Sequence, residues 1–390
     1  MLTHSGYVNQ PMLHTVWVVF CITLGSRHSA ANAGDHWMPD GVLASFAIST
    51  DGQLVHMPIT VDNTRRTFLL DTGFTSMMFD ESLVANLERL EPDGVLRTQG
   101  SRLSVPRYRA PTMAIQDAAL DWIDEVGSLN VKPLAQASES DFEGVVGMNA
   151  LRRFVLHLDF DNGVALLCDP QGASGPPGSS VPLELNRYLT PCIMVQLPGG
   201  IHKAFEIDTG FNETAQVETD LFDSLKRSGG IAGTGVWSEF TNADNSRKAV
   251  EKGRCAEMDV GNRSHKGLIV TPGKTNLLGL SFLCRYRVTF DFVNERLYLD
   301  PSKRFGVRDR RDSDGIIVND KKAIRYIAKE SVGDQVGFRV SDEILTIDGK
   351  DVTRISRMSI NRMLGFPRAA NMPLTVRRGD KVIELVIPGG

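Results

Sequence analysis

After its N-terminal segment, no stretch of this 390-residue sequence is apolar for long enough to cross a bilayer. The chain also lacks a large charge of either sign. A net charge of −4 creates no field that would gather nucleic acid or an anionic membrane, so neither is expected as a partner. Basic residues gather only at Arg304, Arg308, Arg310 and Arg311, interrupted by Asp309 and Asp312, which reads as a solvated linker. Cysteine is scarce and shows no CxxC or Cys/His spacing, so no metal site is expected, and nothing calls for a cofactor. There is no HExxH, no phosphate loop and no nucleophile elbow, which excludes the usual signatures of zinc, nucleotide and serine-hydrolase chemistry. The histidines are scattered. His157 falls on an expected strand and His202 in an expected turn, and both read as structural.

What the chain does have begins with an address. Val16 to Leu24 is a short apolar run followed by small residues, and Ala31-Asn32-Ala33 fits an A-x-A cleavage site. The n-region holds His4 and His14 but neither Lys nor Arg, so an uncleaved anchor is the alternative. The reading adopted is a signal peptide over 1–33, export to a periplasmic or extracellular space, and no stable membrane span after cleavage. Cys168, Cys192, Cys255 and Cys284 then remain. They allow three disulfide pairings, and buried free thiols are equally compatible.

The rest of the sequence repeats itself. Phe68-Leu69-Leu70-Asp71-Thr72-Gly73-Phe74 returns as Phe205-Glu206-Ile207-Asp208-Thr209-Gly210-Phe211, a separation of domain scale. Leu83, Val84, Leu87 and Leu90 follow the first motif at helical spacing, as Leu221, Phe222 and Leu225 follow the second. Asp80 and Thr219 are the candidate N-caps. Val145-Val146-Gly147 is echoed by Leu277-Leu278-Gly279, and Leu158-Asp159-Phe160 by Phe290-Asp291-Phe292. A hairpin is expected after each, at Asp161-Asn162-Gly163 and at Asn294-Glu295. The expected organisation is a first lobe over 37–170, a Gly/Pro/Ser linker over 171–180, a second lobe over 181–302 and a separate module over 312–390.

One Asp at the end of an apolar strand is ordinarily a turn residue. Two in the same duplicated setting suggest a facing pair. Carboxylates in contact cannot both ionise easily, so they share a proton, and one can activate water while the other polarises a carbonyl. Thr72 and Thr209 offer hydroxyls to lock the loops, and Gly73 and Gly210 allow a tight turn that aims N–H groups at the carboxylates.

On these residues, residues 42 to 301 resemble the pepsin and retropepsin superfamily, most of all bacterial retropepsin-like aspartyl proteases. The resemblance implies a mainly β chain of two pseudo-twofold lobes, each a closed or half barrel. It implies water-mediated hydrolysis of a peptide or protein substrate by Asp71 and Asp208, with Gly147 and Gly279 bracing the active loops. One chain carries both aspartates, so a monomer suffices. Phe74 and Phe211 depart from the family, which prefers a small or hydroxylic residue there. Gly229 to Gly235 with Val236-Trp237 is a candidate mobile hairpin. The alternative is a non-catalytic peptide-binding scaffold that keeps the fold.

Residues 314 to 390, through Ser331 to Val352 above all, resemble the PDZ modules of bacterial proteases, with Ser341 in place of the usual Gly. The resemblance implies a β module with a helix. Its peptide groove follows Gly315-Ile316-Ile317-Val318, where N–H groups can receive a terminal carboxylate and the strand edge a peptide.

Overall fold

The computed structural model describes residues 37–390 apart from 51, 98–101, 117, 139, 174, 242–246, 308, 310–314, 320, 328–330, 366–369 and 390. The expected leader over 1–33 lies outside the described residues. The molecule is mainly β. Its strands follow from alternation: along Pro191–Leu197, Ile193, Val195 and Leu197 are buried while Met194 and Gln196 face solvent. Tight turns join such strands. Asp62 and Asn63 at φ 43° and 64° connect His56–Val61 to Thr64–Leu70, and Gly199 and Gly200 at φ 81° and 73° connect Pro191–Leu197 to Ile201–Ile207.

Two large sheets hold the two copies of the repeat. The first runs in the order Arg89–Arg97, Arg102–Arg109, Glu125–Leu129, Met78–Asp80, Gly144–Val146, Thr64–Leu70, His56–Val61, Met113–Ile115, Ala118–Ala119. The second runs Ile231–Thr241, Arg247–Cys255, Ile269–Gly273, Ala215–Glu218, Leu277–Leu278, Ile201–Ile207, Pro191–Leu197, Glu257–Val260, Arg263–Lys266. The sequence order of the strands is the same in both. In each, the strand that ends in Asp-Thr-Gly lies parallel to the short apolar strand of the later echo: Leu69 and Leu70 pair with Val145 and Val146, Glu206 and Ile207 with Leu277 and Leu278. Among the described residues neither sheet closes into a barrel, because no ladder joins its outer hairpin to its last short strand. The closed form of the expectation is corrected.

A third sheet of six strands joins the copies. Val42–Ala47, Val164–Cys168 and Val155–Asp159 come from the first, and Tyr286–Asp291, Arg296–Pro301 and Ser179–Pro182 from the second. At its centre Val155–Asp159 and Tyr286–Asp291 pair antiparallel, with His157 opposite Thr289 and their side chains bonded at 2.8 Å. One continuous hydrophobic cluster includes Phe68, Phe79 and Phe160 together with Phe205, Phe222 and Phe290.

Several local expectations are corrected. The helix expected over 83–90 is only a 3-10 turn, Glu81–Leu83. Asp80 does cap it, accepting from Ser82 N–H at 3.0 Å, but its other oxygen accepts from Val131 N–H, and the chain then joins the Arg89–Arg97 strand. The second helix forms at Thr219–Arg227 with Phe222 and Leu225 buried, yet Glu218 holds the cap position. Thr219 is already helical and gives its hydroxyl to Gly273 O. His202 lies within the strand Ile201–Ile207, since the two glycines before it have completed the turn. The linker ends early: Ser179–Pro182 pairs with Arg296–Leu299, and Gly172 packs against the backbone of Asp40 and Gly41.

The basic run is not wholly a solvated linker either. Asp309 is buried, accepts from Ile269 N–H at 2.7 Å and lies 3.5 Å from the Arg285 guanidinium. Phe305 packs edge-on against His265 and Tyr286. Cys168, Cys192, Cys255 and Cys284 are all free. The residues after 314 have their own hydrophobic cluster, with Ile316, Val318, Ile344, Ile360, Leu364 and Leu374 buried in it. They form a two-stranded sheet, a four-stranded sheet and the helices Val332–Val336 and Arg357–Gly365. Among the described residues no helix is long and apolar enough to cross a membrane.

Candidate active site

Each Asp-Thr-Gly loop is hung from the strand before it and from the echo strand beside it. Asp71 N–H donates to Val146 O at 3.1 Å, and Asp208 N–H to Leu278 O at 3.0 Å. Each loop then turns back on its own carboxylate: Gly73 N–H reaches Asp71 Oδ1, and Gly210 N–H reaches Asp208 Oδ1, both at 2.8 Å.

The threonines tie the loops to each other. Thr72 N–H donates to Thr209 Oγ1 and Thr209 N–H to Thr72 Oγ1, both at 3.0 Å. The Thr72 hydroxyl donates to Ile207 O at 2.7 Å, and the Thr209 hydroxyl to Leu70 O at 2.9 Å. Both threonines are wholly buried. Four buried backbone groups are thereby satisfied by two hydroxyls, each from the opposite copy.

The lock brings the carboxylates together. A Cβ at Gly73 would stand 2.7 Å from the Asp208 carboxyl carbon, and one at Gly210 would press into Asp71 Oδ2. No residue but glycine fits so close an approach. Burial raises the Asp71 carboxyl well above its ordinary range, and the Asp208 charge and a hydrogen bond to Asp208 add to it, against the opposing pull of the Gly73 N–H. Burial also raises Asp208, while the Gly210 N–H and the bond with Asp71 offset part of the rise. The two are one pair that shares a proton, and the raised titration belongs to the pair. Such a pair offers a base and an acid side by side, as hydrolysis of a carbonyl compound by water requires.

Gly147 and Gly279 sit behind the loops. A Cβ at Gly147 would stand 2.5 Å from Ser76 O, and one at Gly279 would press into Phe211 O and Glu213 O. Just beyond them, Met148 N–H donates to Phe74 O and Leu280 N–H to Phe211 O, each at 2.8 Å. Phe74 and Phe211 thus hold the loops through their carbonyls, and Phe74 packs its ring on the core. The candidate mobile hairpin is part of a long ladder between Ile231–Thr241 and Arg247–Cys255.

Gly315, with φ 86°, leads into the strand Ile316–Val318. That strand pairs on one edge with Ile324–Ile327 and has no ladder on the other among the described residues. Ile316 and Val318 are buried, so their side chains turn inward to the module's own cluster. These residues stand in the C-terminal module, apart from the aspartate loops.

Two features escaped the sequence reading. Glu206, two residues before Asp208, is half-buried and receives the Asn186 amide at 3.0 Å. Its carboxyl is raised by burial and then by the Asp208 charge. Its signal was in the sequence, since Glu stands where the first copy has Leu69. The other is Lys252, wholly buried, whose Nζ lies 2.6 Å from Glu213 Oε2 in the second active loop. A surface depression lined by Asp80, Lys132 and Phe142 includes neither Asp71 nor Asp208.

Compared with models of known protein families the chain matches none, and no curated protein matches it.

Proposed function

We propose that the protein is an exported aspartic endopeptidase whose two lobes meet about an approximate twofold axis. Asp71 and Asp208 activate a water between them for attack on a peptide carbonyl. The observation that carries this reading is the reciprocal Thr72–Thr209 lock, which seats each glycine against the opposite carboxylate. The register of the central ladder supports the twofold: His157 and Thr289, 132 residues apart, occupy corresponding places in the two copies and pair with each other. In the reaction, the ionised member takes a proton from water as its oxygen bonds to the carbonyl carbon. The protonated member gives its proton to the carbonyl oxygen. Collapse of the tetrahedral species then breaks the C–N bond as the leaving nitrogen is protonated. The C-terminal residues, as a PDZ-like module, present the free edge of Ile316–Val318 to a substrate or partner peptide.

The test is cleavage of a mixed peptide library across acid to neutral pH by the mature chain, beside Asp71→Asn and Asp208→Asn. Loss of cleavage in either single variant supports the reading. Cleavage indifferent to both overturns it. Wild-type protein that binds peptide through residues 315–390 and cleaves nothing at any pH replaces it with a peptide-binding scaffold.

A further inference from the structure

We propose that Glu206 makes the Asp208 side of the cleft selective for a cationic substrate side chain, lysine or arginine, next to the scissile bond. The inference rests on the endopeptidase reading and extends it to the substrate.

The strand Ile201–Ile207 sets the direction. Phe205 and Ile207 are buried in the core, whereas Ala204, Glu206 and Asp208 are the less buried residues between and beyond them. Side chains alternate along a strand, so Glu206 leaves on the same face as Asp208. The carboxylate is held rather than loose. Asn186 gives its amide N–H to Glu206 Oε1 at 3.0 Å, and its own Oδ1 receives the N–H groups of Tyr188 at 2.8 Å and Thr190 at 3.1 Å. Tyr188 O in turn accepts the hydroxyl of Thr75, from the first active loop, at 2.9 Å. Glu206 is therefore fixed to the segment that bridges the two loops.

Its charge has no counterpart. Among the described residues no lysine or arginine pairs with Glu206, its cross-strand neighbour is Cys192, and the charge that acts on it is that of Asp208. A half-buried anion beside another carboxylate is costly to hold unless something positive arrives. The first copy shows that the fold does not need it, since the matching Leu69 is apolar and buried. A substrate ammonium or guanidinium supplies the missing charge and is drawn to the side of the cleft that has it.

The experiment uses peptide pairs that differ only by lysine or norleucine at one position, scanned through the residues on both sides of the cleaved bond. Both kcat/KM and binding, the latter by fluorescence anisotropy, are measured for the mature chain, Glu206→Gln and Glu206→Leu. The wild type is expected to favour lysine at one position by at least about tenfold. The preference disappears in Glu206→Gln and turns toward norleucine in Glu206→Leu, while cleavage of peptides neutral at that position survives. It also fades as pH falls through the raised Glu206 range. Cleavage with no lysine preference, or a preference that survives both substitutions, overturns the inference and leaves the endopeptidase reading standing. Glu206-dependent lysine preference in binding without any cleavage supports the inference and overturns the endopeptidase reading. Neither cleavage nor binding overturns both.

Discussion

The two copies of the Asp-Thr-Gly sheet share a strand order and differ around it. After the first motif comes a 3-10 turn at Glu81–Leu83, after the second a helix at Thr219–Arg227. Leu69 faces Glu206 across the comparison, and Ser76 faces Glu213 with its buried lysine partner. What the copies have in common is everything that brings the carboxylates together. What separates them lies one residue or more outside that core. The pair is thus built evenly, while its surroundings are not.

The largest effect tests the evenness. Asp71→Asn and Asp208→Asn should each lower kcat/KM by about 10²–10⁴-fold, and by similar factors, in the same peptide assay. A loss confined to one of them would make the copies functionally unequal. Next comes the buried ion pair, present in the second copy only. Glu213→Gln takes the carboxylate away from the wholly buried Lys252 ammonium and should cost about 3–5 kcal/mol in urea denaturation. Lys252→Met should cost less, because the remaining Glu213 is 20% exposed and can be hydrated.

The lock offers a stricter test. Thr72→Val and Thr209→Val each remove one acceptor and one donor from buried backbone groups. Each should cost about 1–3 kcal/mol by the same denaturation, and the two costs should agree. A gentler effect concerns pH. A carboxyl raised in the folded state binds its proton more tightly there than in the unfolded chain, so folding loses stability as pH rises through that interval. Asp71→Asn and Asp208→Asn should therefore melt higher than the wild type at neutral pH. The gain should vanish below the ordinary carboxylate range. The smallest effect lies outside both copies. Ser341 has φ 75°, a conformation that costs a residue with a Cβ, and Ser341→Gly should add about 1 kcal/mol to stability without changing cleavage.

Much of this was legible in the sequence because the motif occurs twice. The repeat located Asp71 and Asp208, the echo strands with Gly147 and Gly279, and the strand at His157. Ser341 was marked by the Gly it replaces, and its left-handed φ gives the reason. The misreadings share one cause: local pattern was overridden by partners distant in sequence. Leu83 to Leu90 has helical spacing, but the Asp80 carboxylate is shared with Val131 and the following residues pair with Arg102–Arg109. Asp309 looked like a charge in a linker until Arg285 and the Ile269 N–H, brought near by folding, gave it a buried place. Glu206 stands within the repeated motif, yet its lack of a counter-charge appears only once the neighbours are in position.

The ladder between Val155–Asp159 and Tyr286–Asp291 has a consequence for how the molecule is divisible. The backbone seam, the common core and the threonine lock all join the copies without using the segment between Gly172 and Gly178. A nick in that segment leaves the seam intact, and two fragments ending and beginning there have every contact needed to find each other. The peptide bond between the copies then matters for concentration rather than for shape. Joined, the halves meet at any dilution; supplied as separate polypeptides, they would assemble to an extent that rises with the product of their concentrations, as an obligate pair does.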